Sequence, residues 1–240
     1  RAAEGETVPV ARRPFPALAP HLTDRAIATD PARAVHHLTL DADLQAQVEA
    51  VAARAARAAG DRLSVAIVLA DHETGEILAS VGSAAYRADG RAGFVDMTRA
   101  LRSPGSTLKP LVYGIAFDQG LAHPETLIED RPAIFGTYAP QNFDGVFRGT
   151  ICLREALQLS LNLPVVTLTE AFGPARLMAH LRRAGVEAVL PGGKAGLAVA
   201  LGGVGVRLEE MVGLYAAMAR GGEAVAISAL GAAGPTGQRV

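Results

Sequence analysis

Residues 102–110 read RSPGSTLKP, and the reading of this stretch decides the rest. The chain carries 23 Lys and Arg residues, of which only Lys109 and Lys194 are lysines. Arginine keeps its proton in a protein, whereas a lysine stripped of water becomes a neutral base near pH 7. Pro104 and Gly105 suggest a turn. A helix starting at Ser106 or Thr107 tolerates Pro110 in its first turn, where a missing N–H costs little. Ser106 then stands at a helix N-terminus with Lys109 three residues on, sharing its face. The positive end of the helix favours an oxyanion and pushes the Lys109 amine toward its neutral form. A base working near neutrality needs a lysine pKa lowered from about 10.4 to roughly 7–8. The expectation is a serine nucleophile and a lysine base; the plain alternative is a capping serine and a solvated lysine. With seven serines and two lysines in 240 residues, a chance S-x-x-K pair is uncommon.

Composition bounds the alternatives. Half of the 240 residues are hydrophobic, enough for a substantial core in one domain or one and a half. A formal net charge of −1, with Arg, Asp and Glu interleaved, leaves no basic footprint for nucleic acid. No apolar run approaches the roughly 18 residues that span a bilayer, and no signal-peptide pattern opens the chain. It starts at Arg1, so the expectation is an internal piece of a longer protein whose anchoring segments lie upstream. The single cysteine, Cys152 in the helical pattern ICLREALQL, excludes an internal disulfide and reads as a small buried thiol. Six histidines show no HExxH or comparable spacing, so no metal and no cofactor are expected.

Residues 1–37, with prolines at 9, 14, 16, 20 and 31, read as a Pro/Arg-rich linker or irregular platform, and residues 38–240 as the main domain. A helix is expected from Thr39 or Asp41 to a stop at Gly60, with Leu44, Val48, Val51 and Ala55 on its apolar face. SVAIVLADHETGEILASVG (64–82) predicts a β-hairpin whose first strand is covered on both faces. LVYGIAFDQG predicts a helix ended at Gly120, and residues 121–150 read mostly as one long loop, a length usually tied to function. Helical patterns resume at 152–160, 164–172, 174–184 and 207–220. GGVG at 202–205 lacks the strand and helix of a dinucleotide loop and reads as a helix entry. Glu209 and Glu210 suit that helix's dipole.

A second element is SLN at 160–162, drawn from scarce letters, since Asn142 and Asn162 are the only asparagines. Taken alone it also fits a helix C-terminus with Asn162 in a turn. S-x-x-K followed by S-x-N is the first two-thirds of a set that ends in K-T-G and marks penicillin-binding proteins and class A β-lactamases. TLDADLQ, DHETGEILASVGS, RSPGSTLKPLVYGIA, YAPQNFDGVFRG and SLNLPVV together resemble the transpeptidase domain of class A penicillin-binding proteins. PFPALAPHLTDR and GGVGVRLEEMVGLYAAMARGG resemble the 1C type most, and the likeness runs from about residue 14 to 222.

That resemblance implies an α+β chain, helix-rich with one β-hairpin, of the penicillin-binding/serine β-lactamase-like transpeptidase fold. It implies Ser106 as the acylated nucleophile, Lys109 as its base, Ser160 as a proton relay and Asn162 as the holder of the substrate amide. Thr107, Tyr138, Asn142, Phe143 and Asp144 would form the substrate-binding wall. The implied partners are a peptidoglycan stem peptide ending in D-Ala-D-Ala, β-lactams that mimic it, and other cell-wall synthesis proteins. The implied setting is the periplasmic face of a bacterial inner membrane, in a bifunctional glycosyltransferase/transpeptidase anchored by a segment outside this chain. Rival readings are an S-x-x-K carboxypeptidase or β-lactamase, and a non-catalytic penicillin-binding sensor. One departure stands out: Lys194 lies in PGGKAGL, and no K-T-G occurs among the 240 residues. The expectation is a domain cut before its later sheet strands, and therefore poorly active.

Overall fold

A computed structural model describes residues 17–88 and 90–240. Residues 1–16, the larger proline-bearing part of the expected linker, lie outside them, as does Asp89. The rest of that stretch is less irregular than the prolines suggest: α1 (Pro20–Thr29) uses Pro20 as an opening residue, where proline's missing N–H has no helical partner to lose. The helix α2 (Ala42–Ala59) is capped by the Asp41 carboxylate, which accepts from Leu44 N at 2.9 Å. Its buried face is Gln45, Val48, Ala52 and Ala56 rather than the Leu44, Val51 and Ala55 line, and Val51 is exposed. Gln45 is the cause. Its side-chain amide donates to Ser80 O (2.9 Å) and accepts from Ser80 N (2.8 Å), serving the backbone as a neighbouring strand would.

The hairpin forms as expected: β1 (Ile67–Ala70) pairs antiparallel with β2 (Ile77–Val81), Val68 opposite Ser80. Its first strand is not covered on both faces, however. β2 is the buried member, whereas Leu69 of β1 is 40% exposed. β1 borders an open apolar groove of about 1040 Å³ whose other walls include Met97, Met211, Val212 and Tyr215.

Two further strand pairs appear beyond the expected hairpin, the first of them where loop and helix were expected. β3 (Leu127–Asp130) and β4 (Gly149–Cys152) pair across the 131–148 excursion, with Asp130 opposite Gly149. Cys152 therefore ends a strand instead of opening a helix, and it is only partly buried. β5 (Glu223–Ala226) pairs with β6 (Gly234–Arg239) near the end of the chain. Among the described residues each sheet has two strands, so the α+β class holds with three strand pairs in place of one.

The core is helical. A 3₁₀ turn, Gly105–Leu108, runs directly into α3 (Lys109–Asp118), with Pro110 in the first α turn. Leu108, Val112 and Tyr113 pack with Leu153 of α4 (Leu153–Gln158), Val165 and Leu168 of α5 (Asn162–Phe172), Leu177 and Leu181 of α6 (Pro174–Arg183) and Leu214 of α7 (Leu208–Ala219). Burying a side chain of this size contributes about 1.5–3 kcal/mol, so α3, surrounded by such residues, is the rigid post on which the 105–109 segment is mounted.

Candidate active site

Among the described residues Lys109 is the largest buried cation, 1% exposed among these apolar helices. Its ammonium donates to three acceptors on one short segment: the Ser160 carbonyl, Ser160 Oγ at 3.0 Å and Asn162 Oδ1 at 2.7 Å. Burial pushes its pKa down from 10.5 to about 8. Ser106 sits one turn earlier, exposed, and its hydroxyl makes no hydrogen bond among the described residues. The sequence pairs Ser106 with Lys109, but in the resting structure Lys109 reaches instead toward 160–162. The cause is local: Ser106 lies in 3₁₀ rather than α geometry, and the amine is held away by better acceptors.

The 160–162 segment is a connection between α4 and α5. Ser160 adopts φ +54°, a conformation that costs a non-glycine residue about 1 kcal/mol or more. That conformation turns both its carbonyl and its hydroxyl toward Lys109. Asn162 opens α5 rather than ending a helix, and its Nδ2 donates to Gln141 O at 2.7 Å.

Ser106, Ser160, Asn162, Asn142, Phe143 and Asp144 line one cleft of about 430 Å³, closed by Gly105, Leu159, Leu161 and Leu201. Within it Phe143 is fully exposed and Asn142 is buried. Asp144 is exposed and paired with Arg148 at 2.6 Å. The structure does not bring Thr107 and Tyr138 to this cleft. Thr107 Oγ1 donates back to Pro104 O at 2.6 Å and the residue borders the 1040 Å³ groove, because successive residues of a 3₁₀ turn point about 120° apart. Tyr138 exchanges backbone hydrogen bonds with Phe135 further along the excursion.

The groove is larger than the cleft, but its lining is chiefly aliphatic and it lacks a nucleophile beside a depressed lysine. The cleft is where acyl transfer can occur.

Two residues were not singled out from sequence. Asp130, fully buried at the end of β3, accepts from Asn142 Nδ2 at 3.0 and 2.9 Å and from Arg148 N at 2.7 Å. Gly202, inside the GGVG stretch, lies against the turn that carries Ser106: a Cβ there would sit 2.3 Å from Gly105 N. Ser103 Oγ donates to its carbonyl at 2.6 Å. The only sequence signals were an acid at the end of an apolar strand and a glycine pair without a cofactor motif around it.

This fold, with a serine-bearing turn mounted on a buried helix and facing a polar connection, defines a class. Residues 65–233 match the penicillin binding protein transpeptidase domain, and the chain belongs to that family. Over 220 residues it is 43% identical to penicillin-binding protein 1C of Escherichia coli K12, covering 91% of this chain and 28% of that protein. It is 32% identical over 158 residues to penicillin-binding protein 1F of Bacillus subtilis, covering 65% of this chain and 21% of that one. The chain thus spans between a fifth and a third of these relatives. Among solved structures it superposes on PonA1 of Mycobacterium tuberculosis with a TM-score of 0.69 at 21% identity, covering 93% of this chain and 63% of that one. On the PonA1 complex with penicillin V the TM-score is 0.70 at 22% identity, over 93% of this chain and 65% of that one. At that identity the likeness is one of fold.

Proposed function

We propose that this chain carries the acyl-serine site of a peptidoglycan D,D-transpeptidase, within a bifunctional glycosyltransferase/transpeptidase on the periplasmic face of the inner membrane. The observation that carries the reading is the buried Lys109 ammonium, its pKa lowered to about 8, held by Ser160 and Asn162, which line the same cleft as Ser106. The similarity to penicillin-binding protein 1C supports the cellular setting.

Neutral Lys109 takes the Ser106 proton as Oγ attacks the carbonyl carbon between the two D-alanines of a stem peptide. The C–N bond breaks, the terminal D-alanine leaves as an amine, and an acyl-serine remains. An ammonium uses all three protons on its three acceptors. A neutral amine has two protons and one lone pair. For that transfer the lone pair faces Ser106; once the proton is taken the ammonium again donates to Ser160 Oγ, the one acceptor of the three that can also donate. Ser160 is thereby placed to pass the proton on to the departing amine. An acceptor amine from a neighbouring strand then attacks the acyl-serine and releases Ser106. Asn162, with Phe143 and Asp144 on the same cleft, would hold the peptide, and Asn142 would support Asn162 from behind.

The test is fluorescent-penicillin labelling of the protein at its full natural length, with Ser106→Ala as control. A stable label lost in the variant supports the reading. Prompt release of the label indicates a β-lactamase-type hydrolase, and labelling that survives Ser106→Ala overturns the assignment.

A further inference from the structure

Lys109 is oriented by a chain of hydrogen bonds that ends at a buried acid. Asp130 is fully buried, and both of its oxygens are occupied: Oδ1 and Oδ2 accept from Asn142 Nδ2 at 3.0 and 2.9 Å, and Oδ2 also accepts from Arg148 N at 2.7 Å. A carboxylate only accepts, so Asn142 presents its NH₂ to Asp130, with the second proton on Val146 O at 2.9 Å. Its carbonyl oxygen is then fixed on the opposite side, where it accepts from Asn162 N at 2.8 Å. That bond matters because Leu161, the N-cap residue of α5, has no side-chain oxygen to satisfy the helix's first N–H groups. Asn142 supplies the cap from twenty residues away. With its backbone held, Asn162 donates Nδ2 to Gln141 O, and its Oδ1 is left facing Lys109.

We propose that Asp130 is a positioning residue for Lys109, acting through Asn142 and Asn162 to keep an amide oxygen aimed at the amine. This rests on the reading of Lys109 as the base. Remove the charge on Asp130, and the Asn142 amide loses its strongest acceptor and is held by Val146 O and Asn162 N alone. In the flipped orientation two N–H groups meet at Asn162, and the start of α5 withdraws from Lys109. The described partners of the ammonium, Ser160 and Asn162, are neutral. The ionisable side chains around Asp130 itself are Tyr113 of α3 and Arg148 of the excursion.

The chain's composition makes the test direct. Lys109 and Lys194 are its only lysines, and Asn142 and Asn162 its only asparagines. Lysine labelled with ¹³C at Cε gives two titration curves, and Lys194→Arg assigns them. In Asp130→Asn the Lys109 pKa should fall below its starting value by about one pH unit, the equivalent of one lost hydrogen bond to a charged group. Asn162→Ala should give a similar fall, and adding Asp130→Asn to it should change nothing more. An unchanged Lys109 overturns the proposal. So does a rise toward 10.5, which means that Asp130 merely keeps water out. If Lys109 of the unaltered chain titrates near 10.5, the base assignment fails instead. Should Asp130→Asn fail to fold, asparagine-selective ¹⁵N labelling of the unaltered chain decides: slow exchange of the Asn142 side-chain protons is expected, and exchange at the rate of a free amide overturns the proposal.

Discussion

Lys109 Nζ lies 2.7 Å from Asn162 Oδ1, fifty-three residues away in sequence, while Ser106, three residues away, makes no bond to it. The lysine therefore belongs energetically to the α4–α5 connection. Its folded pKa of about 8 lies below the 10.5 of an exposed lysine, so between those values the unfolded chain holds a proton that the folded chain has released. Stability should accordingly rise with pH from 7 to 10, by about 2 kcal/mol if Lys109 acts alone. Above about pH 10 the buried Tyr113 opposes the trend, because burial and the Asp130 charge push its phenol up and favour the neutral form. Urea unfolding at pH 7 and pH 10 checks this, and Lys109→Met should flatten the slope.

Lys109→Arg should abolish acylation of the full-length protein while preserving positive charge. A guanidinium does not release its proton near neutrality, and the site around this residue is fully buried. Penicillin labelling of the variant at the unaltered rate would remove Lys109 from the role of base.

Ser160 separates backbone strain from chemistry. Ser160→Ala keeps the φ +54° requirement and loses Oγ, whereas Ser160→Gly loses Oγ and relieves the strain. The glycine variant should be the more stable of the two by about 1 kcal/mol. Both should acylate more slowly by roughly 10²–10⁴-fold, the usual range for loss of a proton-transfer group. Denaturation midpoints and labelling rates, measured on the same samples, check the two halves independently.

Gly202→Ala should disable labelling through geometry alone. The new Cβ would meet Gly105 N at 2.3 Å and Gly105 Cα at 2.5 Å, at a position with φ +87°. The strain amounts to about 1–3 kcal/mol before the clash is added, and the Ser106 turn is what must move. Gly114→Ala on α3 is the contrast: nothing lies within 4 Å of its Cβ, and about 0.5–1 kcal/mol of stabilisation is expected. Thermal melts with labelling assays check both.

The helices and the first hairpin were legible because their signals are local: Asp41 as a cap, Gly60 as a stop, and a polar turn at 71–75 between apolar runs. The face of α2 was misjudged because a buried Gln45 outranked apolar neighbours by bonding to Ser80, a partner 35 residues away. β3 and β4 were read as loop and helix because LIED and GTIC lack alternation, and their pairing spans an eighteen-residue excursion. Spacing paired Ser106 with Lys109 and the family resemblance added Ser160 and Asn162, but the 3₁₀ start that separates Ser106 from the lysine has no signature in RSPGSTLKP. Asp130 stayed hidden for a related reason, since its partner Asn142 lies in the excursion itself.

The turn that carries Ser106 has cavities on both sides. Gly105 and Ser106 border the polar cleft, while Ser103, Pro104 and Thr107 border the apolar groove, and Tyr215 of α7 reaches across to donate to Thr107 O at 2.9 Å. Ser106 thus sits on a turn with a cavity on either side. Whatever fills the groove braces the turn from behind, and while the groove stays open the Tyr215 hydroxyl is a principal strut. Anything that enters the groove therefore meets the back of the Ser106 turn without touching the cleft.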